Sequence, residues 1–248
     1  MIRVIRTLPP SAPAFGIALD EALLETTKRE DIDILRMWVN DRAVVIGRSQ
    51  AAKDEADLEA AEKLGIPVIR RISGGGAVYH YSGNLNISLY LTDARRLGGV
   101  VDAFQRMGKA ISFGLHKLGV NAKSAGNELL INGAKIGGAA QARRGRSLLY
   151  HTTLLVHPDS IPMKQLLLAL RPGYRPSRVP SRPRRTMSIS EAMGHDFRIE
   201  DIADAIEAAI ISFLGRAAVE WKIDGAVMER AKALMQDKYE TDRWNLQL

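Results

Sequence analysis

Cysteine is absent from all 248 residues. That absence removes disulfide frameworks, Cys-ligated zinc or iron–sulfur sites, and any mechanism that carries an acyl group on a thiol of this chain. Long apolar runs are missing too: the longest, Leu166 to Leu170, is far short of the roughly 18 residues a membrane span requires. The opening residues, MIRVIRTLPPSAPAF, hold prolines and arginines where a secretory signal needs an apolar stretch, so the chain reads as soluble and cytoplasmic. Rings are scarce where positive charge is dense, since Tyr174 is the single aromatic within the arginine-rich stretch from 171 to 185. A single-stranded nucleic-acid binder would interleave stacking platforms with its arginines, so nucleic acid is not the expected partner.

What is present is an ordinary globular composition, 46% hydrophobic and 25% charged, sized for one large domain. Lys and Arg number 35 against 28 Asp and Glu, a formal charge of +7. Six of those arginines fall between Arg171 and Arg185 with four prolines and no acid, so the remainder carries 7 − 6 = +1. Proline at that density forbids a regular helix. The segment is either a solvated, mobile loop or one that engages phosphate or an acidic protein.

Periodicity and breakers predict strands at 2–8, 34–39, 43–46, 68–71, 84–91, 128–131, from 134 onward, 148–156 and 219–223. They predict helices at 12–29, 54–64, 101–118, 163–170 and 199–214, with a last one ending near Tyr239. Leu85, Ile87, Leu89 and Leu91 alternate as on a half-buried strand. Asn132-Gly133 between two strand patterns is a hairpin signal, because a type I′ turn needs two positive φ angles. Helices interspersed with hairpins indicate an α+β fold, a mixed and largely antiparallel sheet flanked by helices.

Two constellations carry chemistry. Gly74-Gly75-Gly76 follows a strand ending in Arg70-Arg71 and precedes Ala77-Val78-Tyr79-His80. Such a backbone comes close to a ligand and offers an anion-binding concavity, but it fits neither the Walker nor the dinucleotide spacing. Adjacent arginines on a strand point to opposite faces, so one can pair structurally while the other reaches the loop. In the second constellation, Lys135 sits among Gly133, Ala134, Gly137, Gly138, Ala139 and Ala140, a cation beside a surface with little side-chain bulk, suited to a flat or elongated anionic ligand. His80 and His151 read as hydrogen-bonding strand residues rather than bases, with no Ser/His/Asp arrangement evident, and Trp38 reads as core.

Together, AVVIGRSQ at 43–50, RRISGGGAVYHYSGNLNISLY at 70–90 and GNELLINGAKIGGAAQ at 126–141 resemble the lipoate–protein ligase A family, within the biotin/lipoate ligase catalytic-domain superfamily. The likeness extends to KYETDRWN at 238–245 and lacks the arginine-rich glycine loop of the biotin branch. It implies one catalytic domain over 1–248 and a two-step reaction. Lipoate attacks the α-phosphate of ATP, with magnesium, to give lipoyl-AMP, and a lysine of an acceptor domain then takes the lipoyl group. By the resemblance, Lys135 is the catalytic residue; Arg71, Gly76, Ala77, Val78, Tyr79 and Lys135 hold the adenylate; Gly74, Gly75, His80, Lys135 and Ala139 border the lipoyl chain; and no metal ligand is assigned.

The implied partner is an acidic lipoyl-acceptor domain, of a 2-oxoacid dehydrogenase acyltransferase, a glycine-cleavage H-protein or a similar protein. Split members of the family use a separate accessory subunit, and this chain stops where longer members continue, so weak adenylation by the chain alone is expected. The alternatives are a lipoyltransferase using preformed lipoyl-AMP, an octanoyltransferase, whose family cysteine nucleophile is missing here, and a non-catalytic nucleic-acid binder. Tyr81 and Glu128 stand where aspartate is common; the first bears on metal or loop geometry, and the second keeps the charge one methylene further out.

Overall fold

The computed structural model describes residues 1–248. In chain order the elements are β1 (Ile2–Ser11), α1 (Pro13–Glu30), β2 (Asp33–Asn40), β3 (Ala43–Ile46), α2 (Ala52–Glu55), α3 (Leu58–Lys63), β4 (Val68–Arg70), β5 (Val78–His80), β6 (Asn84–Leu91) and α4 (Val100–His116). There follow β7 (Lys123–Ala125), β8 (Glu128–Ile131), β9 (Ala134–Arg144), β10 (Ser147–Leu155), α5 (Ile189–Met193), α6 (Ile199–Leu214), β11 (Ala218–Glu220), α7 (Gly225–Leu234) and α8 (Asp242–Asn245). Eight strands form one sheet in the order β11-β1-β2-β6-β10-β9-β8-β7, and β4-β3-β5 form a second. Only β1 with its two neighbours, and β3 with β4, run parallel. The mixed, largely antiparallel α+β expectation holds.

Helices cover both faces of the large sheet. α4 and α6 close one face over a core that includes Leu35, Ile87, Met107, Ile111 and Ile206. They cross closely because position 114 has no side chain: a Cβ on Gly114 would lie 2.8 Å from the Ala205 carbonyl oxygen. α1 and α7 close the other face over Leu19, Leu23, Ile34, Tyr90 and Val227. The small sheet has its own core of Val44, Ile46, Tyr79, Tyr81 and Leu166.

The structure departs from local periodicity at several places. The helix expected over 54–64 is two short ones, α2 and α3, because Ala56 between them takes an extended conformation and bridges Leu167. Asp57 then caps α3 by accepting the Ala60 N–H at 2.9 Å. The helix expected over 163–170 is two 3-10 turns, Met163–Gln165 and Leu168–Leu170, separated where Leu166 and Leu167 are drawn into the small-sheet core. β6 is buried along its whole length rather than half-buried, since α1 meets Ser88 and Tyr90 on the face opposite Leu85, Ile87, Leu89 and Leu91. The short elements β5, β7, α5 and α8 carry too few residues to show a period. The β8–β9 turn forms as expected, with φ of 49° at Asn132 and 79° at Gly133. No helix is long and apolar enough to cross a membrane.

Candidate active site

Pairing register sets up the site. One cross-strand row of the large sheet reads Trp38, Asn86, Thr153, Gly138, and the next reads Arg36, Ser88, His151, Ala140. Directly opposed residues share a face, so side-chain bulk on the α1 side falls from Trp and Arg on β2 to Gly and Ala on β9. Over that descending surface lies a cavity of about 560 Å³. Gly74–Gly76 and the chain from Val179 to Arg182 also wall it. A side pocket of about 70 Å³ continues from it past Ala77, Val78 and Gly138 toward Leu155 and Leu170.

The glycine loop owes its shape to two buried arginines with different tasks. Arg70 is wholly inaccessible and binds main-chain oxygens of Gly47, Arg48, Gln50, Trp244 and Asn245, tying the loop's base to the C-terminal helix. Arg71 donates to Val45 O at 3.0 Å, Gly74 O at 2.5 Å and Gly76 O at 2.8 Å. Its guanidinium, which burial pulls down to about 10, remains a cation at neutral pH. Its donors brace the loop, and the residue also borders the cavity. Gly75 has φ of 88°, a conformation that favours glycine. The N–H groups of Gly74, Gly75 and Gly76 donate to nothing else in the chain, which leaves three donors at the cavity wall. Close approach also demands Gly47, where a Cβ would fall on the Gly75 carbonyl.

Lys135 reaches the cavity because of a bulge. β8 pairs Leu130 with Lys135 but Leu129 with Gly137, so one extra residue lies in β9 and Lys135 shares its face with Gly138, a typical effect of a bulge on side-chain direction. The lysine stem runs over Gly138, whose Cβ would sit 2.9 Å from Lys135 Cε. Lys135 Nζ is 3.3 Å from Glu128 Oε1, and Arg184 Nε is 2.9 Å from Glu128 Oε2. Glu128 is the one carboxylate bordering a cavity that also meets Arg71, Lys135 and Arg182, so the site favours an anion.

The Arg/Pro segment is not a free loop. Arg171 pairs with Asp57 at 2.8 Å, and Ser177 N–H donates to Asp54 at 2.7 Å. Ser181 Oγ donates to buried Glu55 and accepts the Ala77 N–H at 2.8 Å. Its end runs beside β9, where the Lys135 N–H donates to Arg185 O at 2.9 Å and the Met187 N–H to Lys135 O at 3.0 Å. It is a strap across the cavity, and the mobile-loop reading is corrected.

His80 borders the cavity, 4% exposed. Burial, the Arg71 charge and His151 lower it to about 3 from an ordinary 6.5, so the folded protein keeps it neutral. Between those values the unfolded chain binds a proton that the folded chain refuses. Stability therefore falls as pH drops below about 6.5, with a limiting slope of about 1.4 kcal/mol per pH unit. Urea unfolding at pH 7 and pH 5 tests this: His80→Gln should flatten the dependence by one proton's worth, and an unchanged slope would contradict it.

Residues 12–211 match the model of the lipoyl protein ligase A/B catalytic domain. The chain belongs to this family. It is 34% identical over 230 residues to a candidate lipoate–protein ligase A of Aeropyrum pernix, covering 92% of this chain and 86% of that one. It is 28% identical to lipoate–protein ligase A subunit 1 of Thermoplasma acidophilum, covering 99% and 97%. An octanoyltransferase of Symbiobacterium thermophilum is 27% identical, with 93% of each covered. Among solved structures, a candidate lipoate protein ligase of T. acidophilum with bound lipoic acid superposes at a TM-score of 0.83, with 28% identity and 99% and 98% coverage. A lipoate–protein ligase A bound with ATP superposes at 0.83, with 29% identity and 98% of each chain covered. The bipartite ligase of T. acidophilum, studied with its E2 lipoyl domain, superposes at 0.81, with 28% identity and 98% and 95% coverage.

Placed on this family's catalytic domain, Gly74, Gly75, Gly76, Ala77, Val78, His80 and Lys135 all border the main cavity. Two expectations need adjustment. The Tyr79 ring turns away to stack on Tyr81 at 5.3 Å and donates to Asp159 at 2.7 Å, so only its main chain is near the site. Ala139 borders the cavity rim, but its methyl packs in the core beneath α4; Gly138 and Ala140 face the slot. Tyr81 donates to His157 O at 2.6 Å within the small-sheet core and is absent from the cavity wall.

Trp38 is both core and wall: its indole donates to Ser88 Oγ at 3.0 Å while it borders the cavity. Sequence reasoning missed the cavity-lining roles of Asn86, His151, Ser181 and Arg182. Missed too was the buried Asp20–Arg36 pair at 2.9 Å, although an acid and a base embedded in apolar segments were a readable signal.

Proposed function

We propose that this chain is the catalytic part of an ATP-dependent lipoate–protein ligase, which activates lipoate as lipoyl-AMP and transfers the lipoyl group to a lysine of an acceptor domain. The carrying observation is Lys135 on its bulge, opposite three free N–H groups of the glycine loop across one cavity. Charge accumulates on the carboxylate and α-phosphate oxygens in both steps, and preorganised donors aimed there contribute most to the rate. The slot beside Trp38, Ile17, Val45 and His151 suits the lipoyl tail, and the side pocket past Val78 suits the adenine. Magnesium would enter with ATP as part of the substrate, held mainly by phosphates; Glu128 is the cavity carboxylate able to meet it.

The family also includes octanoyltransferases. A chain without cysteine has no thiol for the thioester chemistry that the family resemblance assigns to them, which favours adenylation. A second subunit, as the name of the Thermoplasma relative indicates for that protein, belongs to the same proposal. The test combines the chain, ATP, lipoate and a lipoyl domain, with and without a candidate second subunit. Pyrophosphate release and a lipoylated acceptor support the reading; transfer from supplied lipoyl-AMP without pyrophosphate release in either mixture would replace it with the lipoyltransferase.

The acceptor should be acidic. Arg175, Arg178 and Arg185 on the strap are exposed, while Arg184 alone among the strap's last arginines is paired, to Glu128. Rim charges act mostly on encounter and salt dependence. Arg175→Glu with Arg178→Glu should raise KM for the lipoyl domain about tenfold, on the order of 1.4 kcal/mol, and leave pyrophosphate release unchanged. Equal loss in both assays would show that the strap serves the nucleotide instead.

A further inference from the structure

Asp20 lies within the buried face of α1, 2% exposed. It accepts hydrogen bonds from Arg36 Nη1 at 2.9 Å, Tyr90 Oη at 2.6 Å and Ser88 Oγ at 3.2 Å. Burial would push its carboxyl up, but the His151 hydrogen bond and the Arg36 charge outweigh that and hold it below the ordinary carboxylate range. Its other oxygen is 3.1 Å from His151 Nδ1. A carboxylate only accepts, so Nδ1 carries a proton, and Nε2 is an acceptor in the tautomer protonated at Nδ1 alone. Ser73 Oγ lies 2.6 Å from Nε2, which in that tautomer accepts from it, and the same oxygen accepts from Arg71 Nε at 2.9 Å. Arg71 in turn gathers the carbonyls of Gly74 and Gly76. Each link is within hydrogen-bond distance, and the proton on His151 Nε2 is what the test below reads.

We infer that His151, oriented by Asp20, is a positioning residue for the phosphate-binding loop: the chain Asp20–His151–Ser73–Arg71 keeps the Gly74 and Gly76 carbonyls turned inward. The two polar groups of one planar peptide point opposite ways. Drawing the Gly74 carbonyl toward Arg71 therefore turns the Gly75 N–H outward, and drawing in Gly76 aims the Ala77 N–H at Ser181 of the strap. His151 is also the member of the chain that borders the tail slot. With both ring nitrogens engaged it presents carbon to whatever lies there, which suits an alkyl chain. One residue thus joins the wall of the tail slot to the geometry of the phosphate loop.

The activity arm of the test rests on the ligase reading, whereas the spectroscopic arm does not. Nitrogen-15 NMR of the imidazoles in the full chain should show His151 protonated at Nδ1 and unprotonated at Nε2, with the Nε2 resonance moving in Ser73→Ala. Finding the proton on Nε2 would overturn the inference. In adenylation assays Ser73→Ala should raise KM for ATP about 10- to 100-fold, the cost of a small misplacement at a reacting site. Ser73→Thr, which restores the hydroxyl, should recover most of it, and transfer from supplied lipoyl-AMP should change far less. An unchanged KM for ATP in Ser73→Ala also overturns the inference. If the wild-type chain forms no adenylate under any condition, the ligase reading fails and the tautomer still decides the chain.

Discussion

Lys135→Ala should lower lipoyl-AMP formation by about 10²–10³-fold, the range seen when one preorganised donor is removed from a site of charge accumulation, and lower transfer similarly. Its melting temperature should stay within a few degrees of the parent. Lys135 makes one ion pair, at 3.3 Å to Glu128, with its side chain 24% exposed, and Glu128 keeps Arg184 after the change. Partly exposed pairs of this kind contribute at most about 1 kcal/mol. Pyrophosphate release measures the first quantity and thermal unfolding the second. Retention of most activity would remove Lys135 from the mechanism. A collapse in stability would show that the bulge, and not the ammonium, is what the lysine serves.

The largest effect on stability is expected at Arg70. Arg70→Ala would remove a wholly buried guanidinium from five main-chain carbonyls; those of Gln50 and Asn245 lie in buried bonds with no other donor, while Gly47 O keeps the Gln50 N–H. Each unpaired buried group costs roughly 1–3 kcal/mol, and local relaxation recovers part of it, so a loss of about 4 kcal/mol is expected. Denaturant midpoints measure the loss. Hydrogen exchange should show α8 opening first, because its Trp244 and Asn245 are the distant ends of the clamp. Arg70→Lys should rescue little, since an ammonium cannot reproduce the planar spread of donors. A loss below about 1 kcal/mol would mean that the carbonyls find other donors.

The neighbouring arginines show where a sequence stops being informative. That Arg70 and Arg71 point to opposite faces follows from strand geometry. Which of the two serves the loop, and whether it meets a ligand or the loop's own carbonyls, depends on Val45 O, Gly74 O and Gly76 O converging on one guanidinium. The hairpin at Asn132-Gly133 was legible because positive φ is a local property. The bulge three residues later was not, because it depends on how β8 pairs. The same holds for the strap: composition showed that 171–185 could not be a helix, but its docking required Glu55, Asp54 and Asp57 from α2 and α3, more than a hundred residues away in sequence.

The chain by itself determined that no thiol chemistry is possible, that a glycine loop follows two arginines, that a lysine stands among small residues, and that helices and hairpins alternate as in an α+β fold. These are properties of residue identity and near-neighbour spacing. Only the tertiary structure decided that Trp38, Asn86, Thr153 and Gly138 form a row of falling bulk, that Lys135 and the glycine loop border one cavity, and that Asp20, His151, Ser73 and Arg71 form a hydrogen-bonded chain. Each of those depends on pairing register between distant strands, and a shift of one residue would send every side chain of the row to the opposite face of the sheet.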